Sequence, residues 1–177
     1  MLNLILVETA LELVSSKNRS HPSVLNNVKK YGKGIFVLVK TSNPSSGELQ
    51  DLFSGDKKIY EIIAELVNKW GEGTEGSLGY SSVGAVVGAT YPKEAELLRK
   101  IMPKSIFLVP GYGAQGGGAD DAMPCFNKDG RGAIIHSARG VIFAGSSGDF
   151  DKKAEEAALK MKEEIKEAMK KKEIYRW

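Results

Sequence analysis

The sequence predicts an α/β protein built on a parallel sheet, and three observations carry that prediction. Four short apolar runs, IFVLV (35–39), VGAVVGA (83–89), IFLVP (106–110) and GAIIHSA (132–138), lack polar alternation, the pattern of strands buried on both faces. Amphipathic helical patterns lie between them. Glycine-rich or polar breaks separate the two, so the order is α, then β-α repeated, with right-handed parallel crossovers.

In chain order, a helix is expected over residues 22–30, ahead of the first strand. After strand 35–39, DKKIYEIIAELVNKW places Ile59, Ile62, Ile63, Leu66 and Trp70 at helical spacing, a stripe that can pack on a sheet. Behind strand 83–89, PKEAELLRKIM does the same with Ala95, Leu98, Ile101 and Met102. Pro92 suits its first turn, where a missing N–H has no helical partner to lose. Strand 106–110 leads into a glycine-rich loop and a helix that Pro124 cuts to roughly two turns. Strand 132–138 precedes a short helix over 139–144. A final helix from Asp151 sets Ala154, Ala158, Met161, Ile165 and Ala168 on one side. No stretch reads as a linker or as low-complexity sequence.

With 177 residues, 42% hydrophobic and 27% charged, the chain is long enough for one globular domain with a real core. The net charge of +3 is mild, and KKAEEAALKMKEEIKEAMKKK alternates sign as a solvated helix face does, which argues against a nucleic-acid partner. The lone Cys125 cannot form an internal disulfide, and His21 and His136 are too far apart in sequence to complete a zinc site with it. A reducing cytoplasm fits. The N-terminal LNLILVETALELV carries Glu8 and Glu12, has no basic residues before it, and falls short of about 18 uninterrupted apolar residues, so it reads as neither signal peptide nor membrane span.

Residues 109–118, VPGYGAQGGG, hold a G-x-G-x-x-G pattern at Gly111, Gly113 and Gly116. A dinucleotide loop would open a long helix and be followed about twenty residues later by an acidic residue ending the next strand. Here Pro124 truncates the helix, the position twenty beyond Gly111 is Arg131, and the next strand ends in His136-Ser137. Another phosphate grip fits better. In (β/α)₈ barrels a phosphate commonly sits between the loops after the last two strands and the N-terminus of a short extra helix. VPGYGAQGGG follows one strand and Ser137-Ala138-Arg139-Gly140 the next, and Arg139 offers a forked, permanently charged donor. Taken alone, Arg139 reads equally as a surface residue beside a turn; the glycine loop one strand earlier favours the anion.

The strings FVLVKTSNPSSGELQDL, VGAVVGATYP, FLVPGYGAQGGG and NKDGRGAIIHSARGVIFA resemble orotidine 5′-phosphate decarboxylase, in the longer bacterial subfamily also found in some eukaryotic parasites. The resemblance covers residues 31–150 in order. It implies a partial (β/α)₈ TIM barrel whose four parallel strands are the fifth to eighth of the family barrel, with residues 31–177 its C-terminal half and 1–30 an unmatched N-terminal helical region. It implies the reaction of orotidine 5′-monophosphate to UMP and CO₂, in pyrimidine biosynthesis, without metal or organic cofactor. Carried over residue by residue, Thr41, Ser42, Asn43 and Pro44 correspond to the loop that meets the pyrimidine ring. Their alternative is a polar turn, since Ser and Asn-Pro are common turn formers. Gln115 corresponds to the glutamine reaching over phosphate and ring, and Arg139 with Gly140 to the phosphate clamp. Gly111 and Gly113 would shape the loop, with Gly116 and Gly117 lending N–H groups. Thr90 reads as a cap for the helix at Pro92.

Catalysis in the family depends on an Asp-x-Lys-x-x-Asp-type array with a further lysine. A carboxylate beside the substrate carboxylate disfavours the ground state, and a lysine stabilises and protonates the carbanion at C6. No such array precedes residue 31, and no catalytic residue is assigned. Asp56-Lys57-Lys58-Ile59-Tyr60-Glu61 and Asp151-Lys152-Lys153-Ala154-Glu155-Glu156 carry D-x-K-x-x-E, but each is expected to open a solvated helix. A barrel needs about 250 residues, so the chain reads as a truncated half-barrel exposing two sheet edges. Two readings follow: a decarboxylase half with nucleotide recognition but no proton chemistry, or a non-catalytic phosphate- or nucleotide-binding module that self-associates. The half-barrel must dimerise into a pseudo-barrel, associate with the missing half or be marginal, and a homo-oligomer is expected. A different phosphate-binding barrel enzyme would have no reason to carry Thr41-Ser42-Asn43-Pro44. His136 and Ser137, as strand neighbours, point to opposite faces and cannot pair as base and nucleophile. Cys125 reads as a small buried thiol.

Overall fold

A computed structural model describes residues 24–113, 115–146 and 148–176. Glu8, Glu12, His21 and most of the N-terminal region lie outside the described residues; the expected first helix is described from Val24, as α1 (Val24–Tyr31). Then come β1 (Ile35–Lys40), a 3₁₀ turn (Pro44–Ser46), α2 (Gly47–Gln50) and a small hairpin of β2 (Phe53–Ser54) with β3 (Lys57–Lys58). The rest is α3 (Ile59–Gly71), β4 (Val83–Val87), α4 (Pro92–Ile101), β5 (Phe107–Val109), α5 (Ala119–Ala122), a 3₁₀ turn (Met123–Cys125), β6 (Ala133–Ile135), α6 (Ala138–Ile142) and α7 (Phe150–Lys171). Among the described residues no helix is long and apolar enough to cross a membrane.

The four apolar runs form one parallel sheet in the order β1-β4-β5-β6, each strand beside the next of the four in sequence. Its register separates two faces. Val37, Ala85, Phe107 and Ala133 are aligned across one face, and Val39 and Val109 lie further along it; these join Ala64 and Val67 of α3 and Ala95 and Leu98 of α4 in the core. On the other face Leu38, Val86, Leu108 and Ile134 form a row outside that core cluster, and Ile134 is 50% exposed. Gly84 faces the same side because Phe36 lies across it, so close that a Cβ would sit 2.6 Å from the ring.

The helices differ from expectation in phase. On α3 the buried positions are Tyr60, Ala64, Val67 and Gly71, with Ile63 and Trp70 packed on the core; Ile59, Ile62 and Leu66 are half-buried at the flank. The small Ala64 and Gly71 let the helix approach the sheet, where larger residues would hold it off. On α4 the expected Ala95, Leu98, Ile101 and Met102 do face the core, but Arg99 is buried with them. Its guanidinium stacks on Phe107, 3.5 Å from the ring centroid, and donates to the carbonyls of Met102, Ser105, Cys125 and Gly132. Burial lowers its pKa to about 10, which still leaves it charged at neutral pH. On α7 Ala168 is buried as expected with Met169, whereas Ala158 is exposed.

Candidate functional site

The C-terminal ends of β1 and β5 bring Ser42 and Gln115 together, and the end of β6 sets the turn before Arg139 against the glycine loop through Ser137. Beyond β1, Thr41 Oγ donates to Asn43 Oδ1 at 2.5 Å, Asn43 Nδ2 donates to Ser45 Oγ at 3.0 Å, and Pro44 opens the 3₁₀ turn. Ser42 projects from this turn against the ends of the next two strands. A Cβ at Gly88 would lie 2.9 Å from Ser42 Cβ, and one at Gly111 3.1 Å from it. Ser42 Oγ donates to Gln115 Oε1 at 2.5 Å, so two candidates separated by 73 positions in sequence meet directly.

The glycine loop is closed on itself. Gly111, Gly113 and Gly116 all have positive φ (93°, 73° and 92°), a region that side-chain-bearing residues rarely enter. The Gly113 N–H donates to Gly117 O, Gly116 N–H to Gly113 O and Gly117 N–H to Gly111 O. The Gly116 and Gly117 N–H groups, which the sequence expects to face an anion, are thus hydrogen-bonded within the loop. Their contribution is shape: a Cβ at Gly117 would lie 2.8 Å from Ala89 Cβ and 2.9 Å from Gly111 O.

The turn between β6 and α6 lies beside this loop. Ser137 Oγ donates to Tyr112 O at 3.3 Å, and a Cβ at Gly140 would come within 2.7 Å of that same hydroxyl. Arg139 is exposed on the first turn of α6, whose leading N–H groups have no partner inside the helix. The His136 N–H donates to Val109 O while its side chain is exposed, and the Ser137 hydroxyl is committed to Tyr112, so the two form no base–nucleophile pair.

Sequence reasoning missed the group behind the Thr41–Pro44 loop. A register shift between Leu38 and Lys40 turns Lys40 inward, where it is fully buried. Its Nζ donates to Asp51 Oδ2 at 2.8 Å and lies 4.4 Å from the Tyr91 ring centroid and 5.4 Å from that of Tyr60. Lys58 adds a longer contact to Asp51 Oδ1, 3.5 Å. The Lys40 hydrogen bond holds the Asp51 carboxyl below its ordinary range, and burial pushes the Tyr60 phenol up to about 12. The available signal was a lysine directly after an apolar strand and an acid eleven residues on; periodicity alone assigns both to solvent.

Of the two D-x-K-x-x-E segments, the first touches the loop after β1 through the Lys58–Asp51 contact, and the second lies on α7. Asp56 and Lys57 belong to the β2–β3 hairpin rather than to a helix, which corrects one expectation; Lys57 pairs with Glu65, and Glu61 accepts the Lys58 N–H at 2.8 Å. Asp151 and Lys153 lie exposed on α7, where Lys153 pairs with Glu156. Thr90 is not a helix cap: the cap position of α4 is Tyr91, and among the described residues Thr90 Oγ1 is buried without a hydrogen-bond partner. Cys125 is fully buried, and burial pushes its thiol up to about 12. A cavity of about 1000 Å³ between the glycine loop and α7 is lined by the carboxylates of Asp120, Asp121, Glu163, Glu164 and Glu167 together with Lys160 and Lys171. The carboxylates outnumber the lysines, which disfavours a phosphate there, and Tyr112 OH donates to Glu164 across it.

The chain is similar to orotidine 5′-phosphate decarboxylases from Caldicellulosiruptor bescii (45% identical over 148 residues, covering 82% of this chain and 48% of the relative) and Rhodopirellula baltica (48% over 142 residues, 75% and 47%). It thus spans about half the length of the curated relatives it matches. Among solved structures, a putative orotidine-monophosphate-decarboxylase from Toxoplasma gondii superposes with a TM-score of 0.66 at 30% identity, covering 84% of this chain and 56% of that one. A putative orotidine 5′-phosphate decarboxylase from Streptomyces avermitilis gives 0.63 at 29% identity, covering 81% and 48%. The family match itself spans residues 15–157 and so begins inside the region that the sequence motifs left uncovered. With a parallel βα sheet, the Ser42–Gln115 contact and a match over most of its length, the chain belongs to the orotidine 5′-phosphate decarboxylase / HUMPS family.

Proposed function

We propose that this chain carries the nucleotide-recognition half of an orotidine 5′-monophosphate decarboxylase, the fifth to eighth strands of the family barrel, acting in cytoplasmic pyrimidine biosynthesis. Arg139, with the turn at Gly140, holds the 5′-phosphate as a forked cation, and the glycine loop gives the anion room to approach. Ser42 and Gln115 face the pyrimidine, with Thr41, Asn43 and Pro44 fixing the turn that carries Ser42. The observation that supports the reading is the Ser42–Gln115 hydrogen bond, which joins the two candidate loops; the second of these also accepts the Ser137 hydroxyl at Tyr112 O. The Asp/Lys array for decarboxylation is proposed to come from outside this chain, with no metal or organic cofactor taking part. The chain is further proposed to work as a homo-oligomer.

Two assays test this. Purified chain is titrated with UMP, and orotidine 5′-monophosphate turnover is followed by the loss of its ultraviolet absorbance. UMP binding without turnover is expected, with Arg139→Ala weakening UMP at least about tenfold through loss of a charge-assisted pair. Turnover by this chain alone would overturn the assignment of proton chemistry elsewhere. Unchanged UMP affinity in Arg139→Ala would overturn the phosphate clamp.

A further inference from the structure

The segment from Lys40 to Asp51 is tied at its two ends. Lys40 Nζ donates to Asp51 Oδ2 at 2.8 Å, and one residue inward the Thr41 N–H donates to Gln50 Oε1 at 3.0 Å while Gln50 Nε2 donates to Thr41 Oγ at 3.1 Å. Three hydrogen bonds therefore join adjacent residues at the start of the loop to adjacent residues at its end. Tyr91 roofs the ion pair with its ring and places its hydroxyl 3.4 Å from Ser46 Oγ, fixing the middle of the segment to the start of α4. Gly47 leaves room for the pair, since a Cβ there would lie 2.9 Å from the Asp51 Oδ2 that Lys40 binds. Ser42 follows directly on these ties.

We propose that Lys40, Gln50 and Asp51 form a clasp that positions Ser42, and thereby sets recognition of the pyrimidine base without touching the nucleotide. The inference rests on the nucleotide reading above. A buried lysine costs desolvation that a merely structural strand end does not require, and an apolar residue would fill the same space. What the charge adds is a fixed direction: one short bond to a carboxylate at the far end of the loop, in a cage of two rings that leaves the ammonium one arrangement. A loop so closed presents Ser42 ready-placed, and misplacing a recognition group by a fraction of an ångström is enough to lose its contact.

The test compares UMP with ribose 5-phosphate, which has the sugar and phosphate but no base. In Lys40→Met, Asp51 keeps Lys58 as partner and no buried charge is stranded. UMP affinity is expected to fall about tenfold while ribose 5-phosphate changes less than about twofold, and Lys40→Arg is expected to recover most of the UMP affinity. A purely structural loss would move both ligands together, and that result, or unchanged UMP affinity, would overturn the proposal. Gln50→Leu gives an independent readout: amide exchange at Thr41 and Ser42 should accelerate while β4 amides stay protected, and unchanged exchange would overturn the clasp. Wild-type protein that binds neither ligand would refute the nucleotide reading instead, leaving the exchange measurement to decide the clasp.

Discussion

Asp51 shows how one carboxylate can be read through its titration. Lys40, donating a hydrogen bond to Asp51, holds its carboxyl below the ordinary value of 3.8, so the folded state binds that proton more weakly than the unfolded chain does. Such a group stabilises the fold fully above its unfolded pKa, and the contribution disappears as pH falls through the depressed folded value. Asp51→Asn is therefore expected to unfold more readily than wild type at pH 7, and the gap between the two should close below about pH 4. Urea unfolding midpoints measured for both proteins across that range check this; a gap independent of pH would show that the ionised form of Asp51 is not what Lys40 requires. The side chain is about a third exposed, so solvent screens the pair and the effect is expected to be modest.

At the scale of elements, Arg99 does for the N-terminal side of the sheet what Lys40 does for its C-terminal side. From α4 it reaches the carbonyl of Ser105 ahead of β5 and that of Gly132 ahead of β6, and its Nη2 and Nε both donate to Cys125 O in the connection between them. Arg99→Met keeps length and apolar contact with Phe107 but takes the guanidinium donors from the Ser105 and Cys125 carbonyls, while Gly132 O keeps the Phe107 N–H, at a cost on the order of 3 kcal/mol. Thermal unfolding should report the loss, and a variant as stable as wild type would mean that water replaces the guanidinium. The strands, and the helices between them, were legible because burial on both faces leaves an unbroken apolar run and because Pro92 and Pro124 mark a start and a stop. The roles of Arg99 and Lys40 were not legible: a cation in an amphipathic segment is ordinarily solvated, and only the fold reveals carbonyls or rings around it. That Ser42 meets Gln115, and that the turn after β6 reaches the glycine loop through Ser137, was foreseeable from their places at the same end of one sheet, whereas the internal hydrogen bonds of the glycine loop depend on backbone angles that the sequence does not state.

For the molecule as a whole, among the described residues the sheet has two outer strands, β1 and β6, and one face outside the main core cluster, with Leu38, Val86, Leu108 and Ile134 in a row across it. Near the two edges, at the C-terminal ends of the strands, stand further exposed apolar side chains: Leu52 and Phe53 by the hairpin, Ile142, Phe143 and Phe150 around α6 and the start of α7. Unpaired strand edges together with an apolar face favour association. A second copy related by a twofold axis along the strands would set β6 of each chain beside β1 of the other, running in the same direction, and bring eight parallel strands around a shared interior. Homo-oligomerisation by this route makes a definite prediction. Light scattering coupled to size exclusion should give a mass above the 19.2 kDa of one chain. The unfolding midpoint should rise with protein concentration, because association stabilises by mass action. Ile134→Lys, which places a charge in the middle of the row on a side chain already half exposed, should lower the mass without lowering the midpoint measured at high dilution. A single-chain mass throughout the dilution series, or an oligomer indifferent to Ile134→Lys, would mean that this face is not where copies of the chain meet.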